Sequence, residues 1–235
     1  MSYDYSENIL VQESAGHLLV DELGWQVELA YNQEVLGENG TFGRSSYKDI
    51  LLVRYFQKAL RTLNPWITDA QVTEAQNTFE KHLSSASLMQ INEEKYAYIR
   101  DGIPVTEKKP NGQTEEKRAI IIDFQHPNDM ERNHFLAVKE MKIHGDLYRR
   151  RTDIVGFVNG IPLLFIELKK NSVDVQNAYT DNYTDYLDTI PQLFYYNAFL
   201  MLSNGVEAKV ATLGSKYEFF HEWKRLSEQE QGSVA

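Results

Sequence analysis

Apolar positions in the N-terminal part of the chain recur every three to four places, the spacing of one helix face. Over residues 7–23 the apolar set is Ile9, Leu10, Ala15, Leu18, Leu19 and Leu23, with Ser6 placed as an N-cap and Gly24 as the stop. A short strand is predicted at 25–30 and a glycine-rich loop at 37–46. Leu51, Leu52, Tyr55, Phe56, Ala59, Leu60 and Leu63 predict a second helix over 47–63, ended by Asn64-Pro65. Thr68 and Gln71 form a capping-box pair opening a third helix, and 88–100 reads as a fourth.

The pattern changes after Asp101-Gly102. Runs rich in Val, Ile, Leu and Phe predict strands at 103–105, 119–124, 134–143, 153–158, 163–168 and 199–202. The polar stretch 107–117 reads as a mobile hairpin loop, and helices are predicted at 174–189, stopped before Pro191, and at 215–226. With no internal repeat and no clear linker, the economical reading is a single α/β domain over 1–235. A mainly helical N-terminal layer (1–100) precedes a sheet core (101–226), and 227–235 form a frayed tail.

Composition changes this picture in two respects. The chain has 235 residues and no cysteine, which excludes disulfides and thiolate metal sites and makes a reducing cytoplasm the expected compartment. No apolar run approaches the roughly eighteen residues of a membrane span, and the N-terminus lacks the basic start of a signal peptide. The net charge of −10 argues against a broad electrostatic grip on nucleic acid. It leaves room for a focal site, because hard divalent cations are gathered by carboxylates.

One constellation carries chemistry. Residues 154–158 and 163–166 are almost wholly apolar, as expected of strands buried on both faces. Charges close their outer ends: Asp153 opens the first, and Glu167 and Lys169 end the second on a shared face. Asn159-Gly160 between them signals a hairpin. A two-residue turn there would pair Asp153 with Ile166 and leave Glu167 on the opposite face. A three-residue turn, Asn159-Gly160-Ile161, sets Asp153 directly opposite Glu167, with Cβ atoms about 5 Å apart. The site requires the second register, and a glycine in a bulged turn is compatible with it.

Two carboxylates so close raise each other's pKa unless a cation joins them. A Mg²⁺ ion held by Asp153, Glu167, the Leu168 backbone carbonyl and water resolves that conflict with oxygen ligands. Such an ion activates a bound water against a phosphodiester, with Lys169 placed to orient the water or stabilise developing charge. Arg149, Arg150 and Arg151 just upstream, and Lys170 downstream, are candidates to hold flanking phosphates. The competing reading makes Glu167 and Lys169 an ordinary ion pair and Arg149–Arg151 a solvated loop.

The string Arg151-Thr152-Asp153-Ile154-Val155, then Asn159-Gly160-Ile161-Pro162-Leu163, then Ile166-Glu167-Leu168-Lys169, resembles the PD-(D/E)xK nuclease signature. More narrowly, the chain resembles the N-terminal domain of the HsdR subunit of type I restriction–modification enzymes. Supporting pieces follow in order: Glu22-Leu23-Gly24-Trp25, Ala59-Leu60 with Leu63-Asn64-Pro65, Ile122-Asp123-Phe124, and Ile190-Pro191-Gln192-Leu193-Phe194 through Tyr196-Asn197 to Ser203-Asn204-Gly205. The resemblance implies a restriction-endonuclease-like core, a central mixed sheet flanked by helices. It implies Mg²⁺-dependent cleavage of double-stranded DNA, and partnership with methyltransferase and specificity subunits. ATP would enter only through a C-terminal helicase-like motor.

Three departures stand against this pattern. Thr152 sits where the family more often has proline. The Gln-x-x-x-Tyr motif of many relatives is degenerate or absent: the corresponding stretch offers Asp181-Asn182-Tyr183 and Asp185-Tyr186, and Gln192-x-x-x-Tyr196 lies past Pro191. No phosphate loop of the G-x-x-x-x-G-K-[ST] type is present, so the expectation is a fragment or a stand-alone nuclease module.

The remaining features favour structural roles. Gly40–Ser45 lacks the lysine of a phosphate cradle and reads as a connecting loop. His126 and His144 form no metal-ligand pair, and Glu13 and Glu22 read as a solvated helix face. The tyrosines at 179, 183, 186, 195 and 196 read as packing. Two alternatives stand beside the restriction-subunit reading: a stand-alone DNA repair or defence nuclease of the same fold, and a non-catalytic docking domain that binds DNA or a subunit.

Overall fold

The computed structural model describes residues 3–109 and 111–223. Helix α1 (Tyr3–Asp21) leads into strand β1 (Gln26–Leu29), and three helices follow, α2 (Val53–Leu63), α3 (Asp69–Glu80) and α4 (Leu88–Asp101). A hairpin of β2 (Ile103–Lys108) and β3 (Thr114–Ala119) comes next, then β4 (Phe135–Lys139) and the short ribbon β5 (Lys142–His144) and β6 (Arg149–Arg151). Strands β7 (Ile154–Val158) and β8 (Ile161–Leu168) lead to a π-helical turn, Ala178–Tyr183, continued by α5 (Thr184–Thr189). Strands β9 (Phe199–Ser203), β10 (Ala208–Ala211) and β11 (His221–Glu222) end the described chain.

The central sheet has seven strands in the order β1-β4-β7-β8-β9-β10-β11. It is mixed: β1 runs parallel to β4 and β8 parallel to β9, while the other neighbours are antiparallel. The chain is thus α/β with a large mixed sheet flanked by helices, as the sequence resemblance implies. β7 lies inside the sheet between β4 and β8 with all five residues buried, which is why it reads as a continuous apolar run.

Helix α1 covers one face, packing Ala15 and Leu19 against Ala137, Ile154 and Ile166. The other face carries Val155, Phe157, Phe165, Leu200 and Leu202 under Tyr183, Tyr186 and Phe194. A second cluster gathers α2, α3 and the β2–β3 hairpin around Val158 and Ile161, at the turn end of β7–β8. The capping box at Thr68 and Gln71 is present as predicted, and Ser87 with Gln90 forms another at α4.

Several boundaries differ from expectation, each for a non-local reason. The helix expected over 47–63 starts only at Val53. Before it, the Asp49 carboxylate accepts the Ser45 and Ser46 N–H groups at 2.9 and 3.0 Å, a local alternative to helical bonding. The strand expected at 119–124 ends at Ala119. There the Asn64 amide takes both backbone groups of Ile120, at 2.7 and 2.8 Å, and Asn159 donates to the Ile121 carbonyl at 2.7 Å, so side chains replace a ladder.

The polar stretch 107–117 is largely strand, as β2 and β3 pair out to Lys108 and Thr114. The strand expected over 134–143 is broken at Glu140, whose φ of 53° redirects the chain into the β5–β6 ribbon. Strand β10 was not expected. In place of a helix over 215–226 the described part forms a 3₁₀ turn, Tyr217–Phe219, and then β11. Phe220 is buried there, and the Trp223 N–H donates to the Ala208 carbonyl at 2.9 Å. The rest of that span and the tail at 227–235 lie outside the described residues.

Candidate active site

Register assembles the site, by a route other than the one expected. Val158 pairs with Ile161, so the turn has two residues, Asn159 and Gly160, at φ values of 53° and 80°. Positive φ at both positions is the twist that suits a two-residue hairpin. The missing residue is supplied three positions later. Phe157 faces Pro162 while Gly156 faces Leu164, so Leu163 is the extra residue of a β-bulge. Beyond the bulge Ile154 pairs with Ile166, and the same register carried one step outward sets Asp153 opposite Glu167. The expected three-residue turn is therefore corrected to a two-residue turn plus a bulge, with the same outcome for the two acids.

Glycine at 156 is needed because a Cβ there would come within 2.9 Å of the Leu164 Cβ and of the Trp25 ring. The bulged Leu163 stays tied to the sheet through its carbonyl, which accepts the Ala198 N–H at 2.8 Å and the Asn197 amide at 3.2 Å.

Asp153 and Glu167 lie two residues beyond Val155 and Phe165, which share one face of the sheet under Tyr183 and Tyr186. One oxygen of the Asp153 carboxylate accepts the Leu168 N–H at 2.8 Å. In an extended residue N–H and C=O point the same way, so the Leu168 carbonyl opens toward the same gap. Glu167 is 2% exposed, and its Oε2 atom is buried without a hydrogen-bond partner.

Burial raises the Asp153 carboxyl to about 6, against the pull of the Leu168 N–H and the Lys169 charge, with nearby Glu140 adding to the rise. Glu167 is pushed well above the usual carboxylate range, first by burial and then by the charge of Asp153. Two facing acids that resist ionisation, one with an orphaned oxygen, form a donor set that fits a hard divalent cation. Among the described residues no group of three or more His, Cys, Asp or Glu side chains is placed to hold a metal. A cation here would need the two acids, a backbone carbonyl and water.

Lys169 leaves β8 on the same face, its N–H donating to the Ser203 carbonyl at 2.8 Å and its ammonium to the Asn182 carbonyl oxygen. Asn182 and Tyr186 stand four apart on the π-helical turn and α5. The Tyr186 hydroxyl donates to the Arg151 carbonyl at 2.9 Å and receives a long contact of 3.4 Å from the Asn182 amide. This pair occupies the place where the sequence showed only a degenerate Gln-x-x-x-Tyr motif. Its signal was the i, i+4 spacing, with asparagine one methylene shorter than glutamine.

Gln12 was missed altogether. Its amide donates to the Asp153 carbonyl at 3.2 Å from α1, a contact between residues far apart in sequence. Neighbouring Glu13 pairs with Lys139 at 2.6 Å. Of the arginines read as phosphate ligands, Arg149 is exposed and Arg150 turns back to Asp185 at 2.8 Å. Arg151 meets Glu140 at 3.3 Å, and Lys170 follows Lys169 just past β8.

Residues 4–219 match the family described as the type I restriction enzyme R protein N terminus. The type I restriction enzyme HindI endonuclease subunit of Haemophilus influenzae is 30% identical over 218 residues, 91% of this chain and 20% of that relative. A protein of Methanocaldococcus jannaschii, assigned provisionally as the type I restriction enzyme MjaIXP endonuclease subunit, is 29% identical over 196 residues, 81% of this chain and 18% of its own length. The chain thus spans about a fifth of the length of these curated relatives.

Proposed function

The chain belongs to the type I restriction enzyme R protein N-terminus family, and from that premise we propose that it is a Mg²⁺-dependent endonuclease module that cuts double-stranded DNA. The single observation behind this reading is the pairing of Asp153 with Glu167 on one face, with an orphaned Glu167 oxygen and Lys169 beside them. Residues 1–235 act in this reading as one cutting domain in the cytoplasm. It works with methyltransferase and specificity subunits and with an ATP-driven motor supplied by the larger protein.

Asp153, Glu167 and the Leu168 carbonyl would hold the Mg²⁺ ion. When bound, the ion would polarise the phosphodiester and lower the pKa of its water. The remaining work belongs to the chain. Asp153 is held by the Leu168 N–H through one oxygen, which would leave the other as a ligand. Lys169, held by Asn182, would orient the water by an ammonium hydrogen bond or stabilise charge growing on the phosphorus oxygens. Tyr186 fixes the Arg151 carbonyl and so the backbone leading into Asp153. Arg149, Arg151 and Lys170 supply positive charge toward flanking phosphates, while Arg150, read from the sequence as a fourth, is held by Asp185.

Cleavage of supercoiled plasmid by the reconstituted complex, with ATP and Mg²⁺, tests the site. Asp153→Ala and Lys169→Ala should each abolish cutting while the complex still assembles. Persistent cutting by both variants overturns the assignment.

A further inference from the structure

The chain carries a net charge of −10, so a nuclease of this composition needs a local device to hold a polyanion. The β5–β6 ribbon is the place where positive charge is concentrated next to the site. Its register sets Lys142 opposite Arg151, Ile143 opposite Arg150 and His144 opposite Arg149. Alternation divides the ribbon into two faces. Ile143 is buried and Arg150 turns to Asp185, whereas Lys142, His144, Arg149 and Arg151 share the outer face.

Directly opposed basic residues destabilise a strand pair. Glu140, 3.3 Å from Arg151, offsets one of these charges, whereas the Arg149 and His144 pair has no acidic partner among the described residues. His144 records the repulsion. Its pKa is held below the usual value by burial and then by Arg149, Arg44, Lys142 and Lys48.

The ribbon is also pinned along its backbone. Buried Arg44, paired with Glu34 at 2.6 Å, donates to the Lys142 carbonyl at 3.1 Å. The His144 N–H donates to the Tyr47 carbonyl at 2.9 Å, and the His144 carbonyl accepts the Gln192 amide at 2.9 Å. Tyr186 holds the Arg151 carbonyl, as described above. The Arg151 guanidinium and the Lys142 ammonium lie over the Tyr31 ring, 4.5 and 5.3 Å from its centroid, and the Lys142 ammonium donates to Asn32 at 3.2 Å. Arg149 has no ion pair among the described residues. The charges are therefore held in a fixed row, with like groups facing each other.

From this geometry, and resting on the nuclease reading above, we propose that the outer face of the β5–β6 ribbon clamps the phosphate backbone of duplex DNA beside the bond to be cut. Lys142, Arg149 and Arg151 contact phosphates, His144 completes the row, and Arg150 anchors the ribbon to α5 instead of touching DNA. Only Thr152 separates Arg151 from Asp153, so the clamp ends about 7 Å of extended chain from the catalytic carboxylate. Phosphate contacts position the duplex without reading sequence.

The test is the salt dependence of binding of a random-sequence 30-base-pair duplex to the 235-residue chain, without divalent metal. Each phosphate contact contributes about 0.9 to the slope of log affinity against log salt. The Lys142→Gln/Arg149→Gln double variant should lower that slope by roughly 1.8. A Lys109→Gln/Lys117→Gln variant on the β2–β3 hairpin, equal in charge change, should leave it unaltered. Single Arg149→Gln, at an exposed position, should lower it by about 0.9 if the double variant fails to fold. An unchanged slope in the ribbon variants, an equal drop in the hairpin variant, or no salt-dependent binding by wild type each overturns the clamp. Asp153→Ala in the same assay separates the two proposals. If it keeps the wild-type slope while the reconstituted complex cuts whether or not Asp153 is present, the site assignment fails and the clamp stands. If wild type cuts and the ribbon slope does not move, only the clamp fails.

Discussion

Glu167 keeps a carboxylate oxygen in the protein interior with no hydrogen-bond partner, a placement that costs about 1–3 kcal/mol in a folded chain. Glu167→Gln, which removes the charge and keeps the shape, should stabilise the metal-free chain by about 1–2 kcal/mol while eliminating DNA cutting. Denaturant titration beside a plasmid assay checks both halves, and a destabilised variant refutes the idea. On the proposed reading Asn182 acts at one remove, through the Lys169 ammonium it accepts. Asn182→Ala should lower the cutting rate about 10–100-fold, less than Lys169→Ala, and Asn182→Gln should recover part of it. Asp153, Glu167 and Lys169 were legible in the sequence because strand-end charges after apolar runs are local features. Asn182 and Gln12 were not. The first depends on how a π-helical turn places one amide over the sheet, the second on where α1 docks.

Among the elements, the hairpin shows what a sequence carries and what it hides. Asn159-Gly160 announced a turn, and the positive φ of both residues follows from their chemistry. The bulge at Leu163 has no composition signal: Pro162 beside it is compatible with a bulge but does not require one. Yet the bulge decides which face Glu167 takes, since a one-residue slip moves every side chain of β8 to the other face. Deleting Leu163 should therefore keep the hairpin turn while carrying Glu167 away from Asp153, and cutting should fall to background. A deletion variant that melts cooperatively and still cuts would refute this. Gly160 is constrained on two counts: its φ is 80°, and a Cβ would meet the Leu52 carbonyl at 2.5 Å. Gly160→Ala should cost roughly 1–3 kcal/mol by denaturant titration, because α2 begins where that carbonyl sits.

For the whole molecule, the two acids couple folding to pH and, on the reading proposed above, to metal. Asp153 rises from 3.8 to about 6 on folding and Glu167 is raised as well, so both acids bind protons more tightly folded than unfolded. Stability from this pair is present below pH 4 and is lost as pH climbs through 6. For Asp153 alone the rise from 3.8 to about 6 amounts to about 3 kcal/mol, or roughly 5–10 °C in melting temperature for a chain of this size. Other groups titrate differently. Asp123 and Asp185, held low by Arg132 and Arg150, have completed their contribution above about pH 4. His134 and His144, both lowered by burial, gain stability as pH rises toward 7 and so oppose the acid pair. The difference between wild type and Asp153→Asn/Glu167→Gln removes those background terms. In metal-free buffer the variant's advantage in melting temperature should be small at pH 4.5 and grow by several degrees at pH 7. Mg²⁺ should then raise the wild-type melting temperature at pH 7, have little effect at pH 4.5 where the acids keep their protons, and leave the variant unchanged at both. If Mg²⁺ stabilises wild type and variant equally at pH 7, these two carboxylates do not hold the ion, whatever else on the chain binds it.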